Sequence, residues 1–128
     1  MSEAYKNIHI LVVDDEESLR LVISNSLLRR GFQVQTADSG RSALTVLENQ
    51  KFDLIISDIR MANGDGLFLL EKMRKDDESK PALILMTGFS DIGEEDCMKR
   101  GATGVLLKPF GRDKLLEAVN AVLGLSNT

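Results

Sequence analysis

An apolar run, IHILVV (residues 8–13), is followed by Leu19, Val22, Ile23 and Leu27 at steps of three and four, and then by FQVQT (32–36). Runs of the first kind read as strands and stretches of the second as helices, because side chains return to one face every second residue of a strand and every third or fourth of a helix. The beat continues with Leu44 and Leu47 on a helix, LIIS (54–57) as a strand, and Leu67, Leu70 and Met73 on a helix. ALILMT (82–87) is a strand, a short helical stretch lies near 91–100, VLL (105–107) is a strand, and Leu116, Val119 and Leu123 mark the last helix. The pattern predicts a (βα)5 chain.

Alternation of this kind predicts an α/β fold with a doubly wound parallel sheet, because parallel neighbours need crossover connections whose helices cover both faces. Strand composition agrees. Segments 8–13, 54–57 and 82–87 are almost continuously apolar, whereas Phe32, Val34 and Thr36 alternate with Gln33 and Gln35. The second strand therefore reads as an edge, which fits the five-stranded order 2-1-3-4-5 found among doubly wound sheets. Gly31 can close the first helix, Asp38 or Ser39 can cap the second, and Pro81 can open the fourth strand, where its missing N–H does least harm. No repeat, linker or low-complexity stretch intervenes, so residues 1–128 read as a single domain with a core at about 7–124.

Composition narrows the class. The chain has 128 residues, 43% of them hydrophobic, enough to bury a stable core without covalent staples. One cysteine, Cys97, and one histidine, His9, allow neither an internal disulfide nor a Cys/His metal pairing. Nowhere do about 18 apolar residues run together, and no apolar stretch follows a basic N-terminus, so the expectation is a cytoplasmic protein without a membrane segment. A net charge of −4 offers no general attraction to nucleic acid.

The chemistry lies at the strand ends. LVVDDEESLR (11–20) runs an apolar strand into four acids, Asp14, Asp15, Glu16 and Glu17. In an open parallel sheet, ligands bind outside the carboxyl ends of the strands, near the point where strand order reverses. Those ends carry Asp14 and Asp15, Asp58, Thr87 and Lys108. Three crowded carboxylates raise one another's pKa unless a cation compensates, and Lys108 supplies only one charge. A hard divalent ion such as Mg²⁺ supplies the rest and leaves room for a phosphate oxygen. With the charges balanced, a carboxylate can attack a phosphoryl group and form an acyl phosphate. Asp58 is the candidate nucleophile, with Lys108 as a point charge and Thr87 as a hydroxyl donor to phosphoryl oxygens. Gly88 and the residues after Asp58 can add backbone N–H donors.

Taken in order, VVDDE, IISDIRMANGDGL, ILMTG and LLKPF resemble the receiver domain of two-component response regulators over essentially the whole chain. The resemblance implies a flavodoxin-like sheet and a Mg²⁺ site made by Asp14, Asp15, Asp58 and the backbone carbonyl of Arg60. It implies that Asp58 accepts phosphoryl from a histidine kinase or phosphotransfer protein, that Lys108 bonds the phosphoryl group, and that Thr87 swings toward it. The Lys108–Pro109 peptide is then cis, which only proline makes accessible. The expected output surface is helix four, strand five and helix five, open to a partner, an output domain or a second copy. Such a domain promotes its own modification and is not an enzyme. Two positions depart from the family: Val105 stands where an aromatic usually rotates inward with the threonine, and Ala62 stands where a loop proline is common. Arg60 and Phe89, two residues after Asp58 and Thr87, flank the expected route of attacking water and are candidates to set the acyl phosphate lifetime.

Blander readings hold for other residues. Glu16 and Glu17 read as first-turn acids favouring the helix dipole, Asp53 as a turn residue, and Asp65 as a loop or cap residue. His9 reads as structural, Cys97 and Met98 as packing, and Glu94, Glu95 and Asp96 as an exposed helix face. Two rival functions stand beside the receiver. A small-molecule phosphatase or phosphotransferase using an aspartyl phosphate needs a substrate cap that regular alternation does not supply. A phosphate-independent binding module would be expected to have lost part of the Asp14, Asp15, Asp58, Thr87 and Lys108 set.

Overall fold

The computed structural model describes residues 5–75, 81–88 and 91–125. Among these, strands β1 (His9–Val13), β2 (Gln33–Ala37), β3 (Leu54–Asp58), β4 (Ala82–Thr87) and β5 (Gly104–Leu107) alternate with helices α1 (Glu17–Arg29), α2 (Gly40–Asn49), α3 (Gly66–Met73), α4 (Glu94–Lys99) and α5 (Arg112–Leu123). The sheet is parallel throughout, in the order β2-β1-β3-β4-β5. It is the doubly wound sheet that the alternation predicts, in the flavodoxin-like order that the resemblance implies. β2 is one edge.

The period of two along each central strand divides the core into two layers. Leu11, Val13, Ile55, Leu83 and Leu85 face α2, α3 and α4, where Ala43, Leu69, Leu70 and Cys97 meet them. Ile10, Val12, Leu54, Ile56, Ile84 and Met86 face α1 and α5, packing with Ile23, Leu27, Leu115 and Val119. Burial on both faces is why β1, β3 and β4 carry almost no polar residues until their last positions.

Three expectations about faces need correction. Val22 is 61% exposed, because the buried stripe of α1 is centred on Ile23, Ser24 and Leu27 and leaves Val22 on its outer flank. Met98 is 42% exposed, one residue past the fully buried Cys97, since a six-residue helix turns little more than one side inward. Thr36, expected on the covered face of β2 with Val34, is exposed; that face is covered at its other end, where Phe32 joins Ile23 and Leu27 in the core.

The termini of the helices follow the punctuation. Gly31, at φ 104°, turns the chain out of α1, a conformation that costs glycine little. Ser39 caps α2 by accepting from Ser42 N, and Asp65 caps α3 by accepting from Phe68 N at 2.9 Å. Asp53 ties β3 to β1: its Oδ2 accepts from His9 N and its own N–H bonds His9 O, both at 2.8 Å.

Candidate functional site

Asp14 follows β1 and is fully buried, held by its own backbone and its neighbours. Its N–H bonds Ala37 O at 3.1 Å, its carbonyl accepts from Arg20 Nη1 at 2.7 Å, and its Oδ1 accepts from Glu16 N at 2.9 Å. The remaining oxygen, Oδ2, is buried without a hydrogen-bond partner among the described residues. Burial pushes the Asp14 carboxyl above its ordinary value. The Glu16 N–H and the Lys108 charge pull the other way, Asp58 and Asp15 add to the rise, and the net shift is upward.

Asp58 closes β3 with its side chain 11% exposed, and Lys108 Nζ lies 3.0 Å from its Oδ2. The Arg60 N–H approaches Asp58 Oδ1 at 3.5 Å. Carboxylate oxygens of Asp14, Asp15 and Asp58 all lie within 4.8 Å of one another, with Asp15 exposed and the other two buried. The donor set fits a hard divalent cation: all ligands are oxygens, one of them is a buried orphan, and a single ammonium faces three carboxylates. Together these groups could seat a cation beside a nucleophilic oxygen.

Thr87 ends β4, 3% exposed, one residue beyond Met86, which is the register partner of Asp58. Lys108 N donates to Thr87 O at 2.8 Å and so brings the end of β5 to the same rim. The Lys108–Pro109 peptide is cis. A cavity of about 220 Å³ opens beside Thr87, lined in part by Gly88, Ile92, Val105 and Leu107. The small side chain of Val105 thus borders open space.

The sequence reading missed Asp91. Its Oδ2 accepts from Gly88 N at 2.6 Å, and its Oδ1 is paired with Arg60 Nε. Burial alone would raise its carboxyl, but the Gly88 N–H and the Arg60 guanidinium outweigh that and hold it below the usual carboxylate range. The only hint in the chain is an aspartate three residues after a glycine that ends a strand, a spacing that suits a local side chain to backbone turn. Phe89, the second candidate for setting the acyl phosphate lifetime, lies outside the described residues.

The family model for the response regulator receiver domain matches residues 10–120. The chain belongs to that family. The receiver is 35% identical over 127 residues to a probable chemotaxis protein CheY of Rhizobium etli, covering 97% of this chain and 98% of that one. It is 34% identical over 120 residues to the transcriptional regulatory protein GlrR of Escherichia coli, covering 94% of this chain and 27% of the relative. This chain thus spans about a quarter of the length of several transcriptional regulators it matches. Among solved structures, chemotaxis response regulator CheY4 of Vibrio cholerae aligns with a TM-score of 0.82 at 31% identity, over 91% of this receiver and 98% of that chain. The receiver domain of NtrX from Brucella abortus aligns with a TM-score of 0.83 at 30% identity, over 91% and 99%.

Receivers of two-component systems are switch domains rather than enzymes in general, and they bind Mg²⁺ at an acidic pocket. This receiver has such a pocket in Asp14, Asp15 and Asp58. Its loop after Asp58 is held although Ala62 replaces the common proline. Asn63 and Gly64 take positive φ of 59° and 95°, and their carbonyls accept from Arg41 N at 3.2 Å and Gly40 N at 2.7 Å, the first N–H groups of α2. Among the described residues no helix is long and apolar enough to cross a membrane.

Proposed function

We propose that Asp58 accepts a phosphoryl group from a histidine kinase or phosphotransfer protein, and that the chain is a single receiver domain with its core at about 7–124. An Asp58 oxygen forms the O–P bond as the N–P bond of the phosphohistidine breaks; the leaving imidazole nitrogen keeps the electron pair and takes up a proton. The single observation that carries this reading is the Asp58 carboxylate 3.0 Å from the Lys108 ammonium and within 4.8 Å of carboxylate oxygens of Asp14 and Asp15. Lys108 stabilises the incoming phosphoryl oxygens as a point charge, the Thr87 hydroxyl hydrogen-bonds one of them, and the Gly88 N–H stands next in the chain. Asp14, Asp15, Asp58 and the Arg60 carbonyl hold Mg²⁺, which when bound neutralises charge on the carboxylates and the phosphoryl group.

The output is a change at the surface of α4, β5 and α5, reached through Thr87 and read by a partner, an output domain or a second copy in a homodimer. The domain works in the cytoplasm with no direct nucleic-acid or membrane contact of its own. Incubation with Mg²⁺ and acetyl phosphate, followed by intact mass, tests the reading. Wild type should gain one phosphoryl group and Asp58→Asn none. Equal gain in both would move the phosphate to another residue, and no gain in either would favour a phosphate-independent module.

A further inference from the structure

Asp91 sits in the site without belonging to the cation set. Its two oxygens take two of the donors at the rim, the Gly88 N–H at 2.6 Å and the guanidinium of Arg60. The residues that carry these donors lie close to Asp58 in chain or in register. Gly88 follows Thr87 at the end of β4, two residues past the register partner of Asp58, and the Arg60 backbone N–H already approaches Asp58 Oδ1 at 3.5 Å. Lys108, paired with Asp58, also exerts its charge on Asp91. An anion built on Asp58 would therefore meet donors that another anion holds, and like charges cannot share them cheaply.

We infer that the Asp91 carboxylate is an internal stand-in for the phosphoryl group, holding the Gly88 N–H and Arg60 in the resting receiver and yielding them when Asp58 is loaded. The inference rests on the phosphoacceptor reading above. It makes Asp91 a positioning residue: while it is engaged, only the fraction of molecules with these donors released is ready for the phosphoryl group, and apparent affinity falls by that fraction. It also ties loading to α4. Asp91 lies two residues before Gly93, the N-cap of that helix, so releasing its side chain frees the lead-in to the surface expected to change.

The test is the affinity for beryllofluoride, a phosphoryl mimic, at saturating Mg²⁺, measured by calorimetry on wild type, Asp91→Asn and Glu94→Gln. Asp91→Asn keeps an oxygen acceptor for Gly88 N–H but loses the charge that holds Arg60. It should bind about five- to tenfold more tightly than wild type, within the usual span of coupling between sites. Glu94→Gln removes an equal charge from the start of α4 and should leave affinity within about twofold. In wild type, the Arg60 Nε–H resonance should move as beryllofluoride saturates.

Equal or weaker binding by Asp91→Asn, an equal gain in Glu94→Gln, or an unmoved Arg60 resonance would each overturn the inference and leave the phosphoacceptor reading standing. Failure of wild type to bind beryllofluoride, with no mass gain on Asp58 from acetyl phosphate, would overturn both.

Discussion

Lys108 Nζ reaches Asp58 Oδ2 at 3.0 Å, joining the carboxyl ends of β5 and β3 across β4. The pair places one positive charge against the Asp58 carboxylate, whose oxygens also lie within 4.8 Å of those of Asp14 and Asp15.

Replacing that ammonium should have two opposite effects. Lys108→Met is expected to slow phosphorylation of Asp58 by acetyl phosphate about 10²-fold, the usual loss when one preorganised charge donor is removed. The same change should tighten Mg²⁺ binding by about threefold or more, because the three carboxylates lose a competing cation a few ångströms away. Phosphorylation rates by mass spectrometry and Mg²⁺ titration by calorimetry check the two arms separately; movement of both in one direction would contradict this geometry.

Asp14 predicts a pH-dependent stability difference. Its folded pKa is raised above the unfolded value near 3.8, chiefly by burial, so its contribution to stability is fully present below about 3.8 and is lost as pH rises through the raised folded value. Without Mg²⁺, Asp14→Asn should therefore match wild type near pH 3.5 and become more stable by about 1 kcal/mol or more at neutral pH, or roughly 3 °C in Tm. Saturating Mg²⁺ should raise the wild-type Tm and leave Asp14→Asn almost unmoved. Thermal unfolding across pH, with and without the ion, reads both.

Gly66 is expected to tolerate no side chain. A Cβ there would lie 2.5 Å from Asp58 O and 2.8 Å from Leu85 Cδ2, and neither the backbone of β3 nor the packed core has room to move. Gly66→Ala should destabilise by about 1–3 kcal/mol, as overpacking does, and should also slow phosphorylation by shifting Asp58. Urea unfolding that matches wild type would show the contact to be softer than its distances imply.

Arg60 and Phe89 are expected to set the lifetime of the proposed acyl phosphate. The Arg60 side chain is 72% exposed although it is paired with Asp91, and the resemblance places it beside the route of attacking water. Arg60→Ala and Phe89→Ala are each expected to change the autodephosphorylation rate, followed by loss of the phosphorylated mass; unchanged rates in both would end the idea.

The central strands were legible because burial on two faces demands continuous apolar sequence, and that demand is local to IHILVV, LIIS and ALILMT. The acids Asp14, Asp15 and Asp58, Thr87 and Lys108 were legible because a parallel sheet brings strand ends to one rim, so position along the strand is enough to place them. Val22 and Met98 were misplaced because helical period marks a face without fixing its width, which depends on the neighbouring helix.

The chain alone thus determined the alternation of elements, the parallel sheet with one edge at β2, and the set of polar residues on its carboxyl rim. Those follow from periodicity and from the cost of burying polar atoms. The fold in three dimensions decided the rest: the Lys108 ammonium against Asp58, the orphan oxygen of Asp14, and the Asp91 carboxylate held by Gly88 and Arg60. Hydrogen bonds and ion pairs depend on ångström distances between segments far apart in sequence, and no periodicity records them.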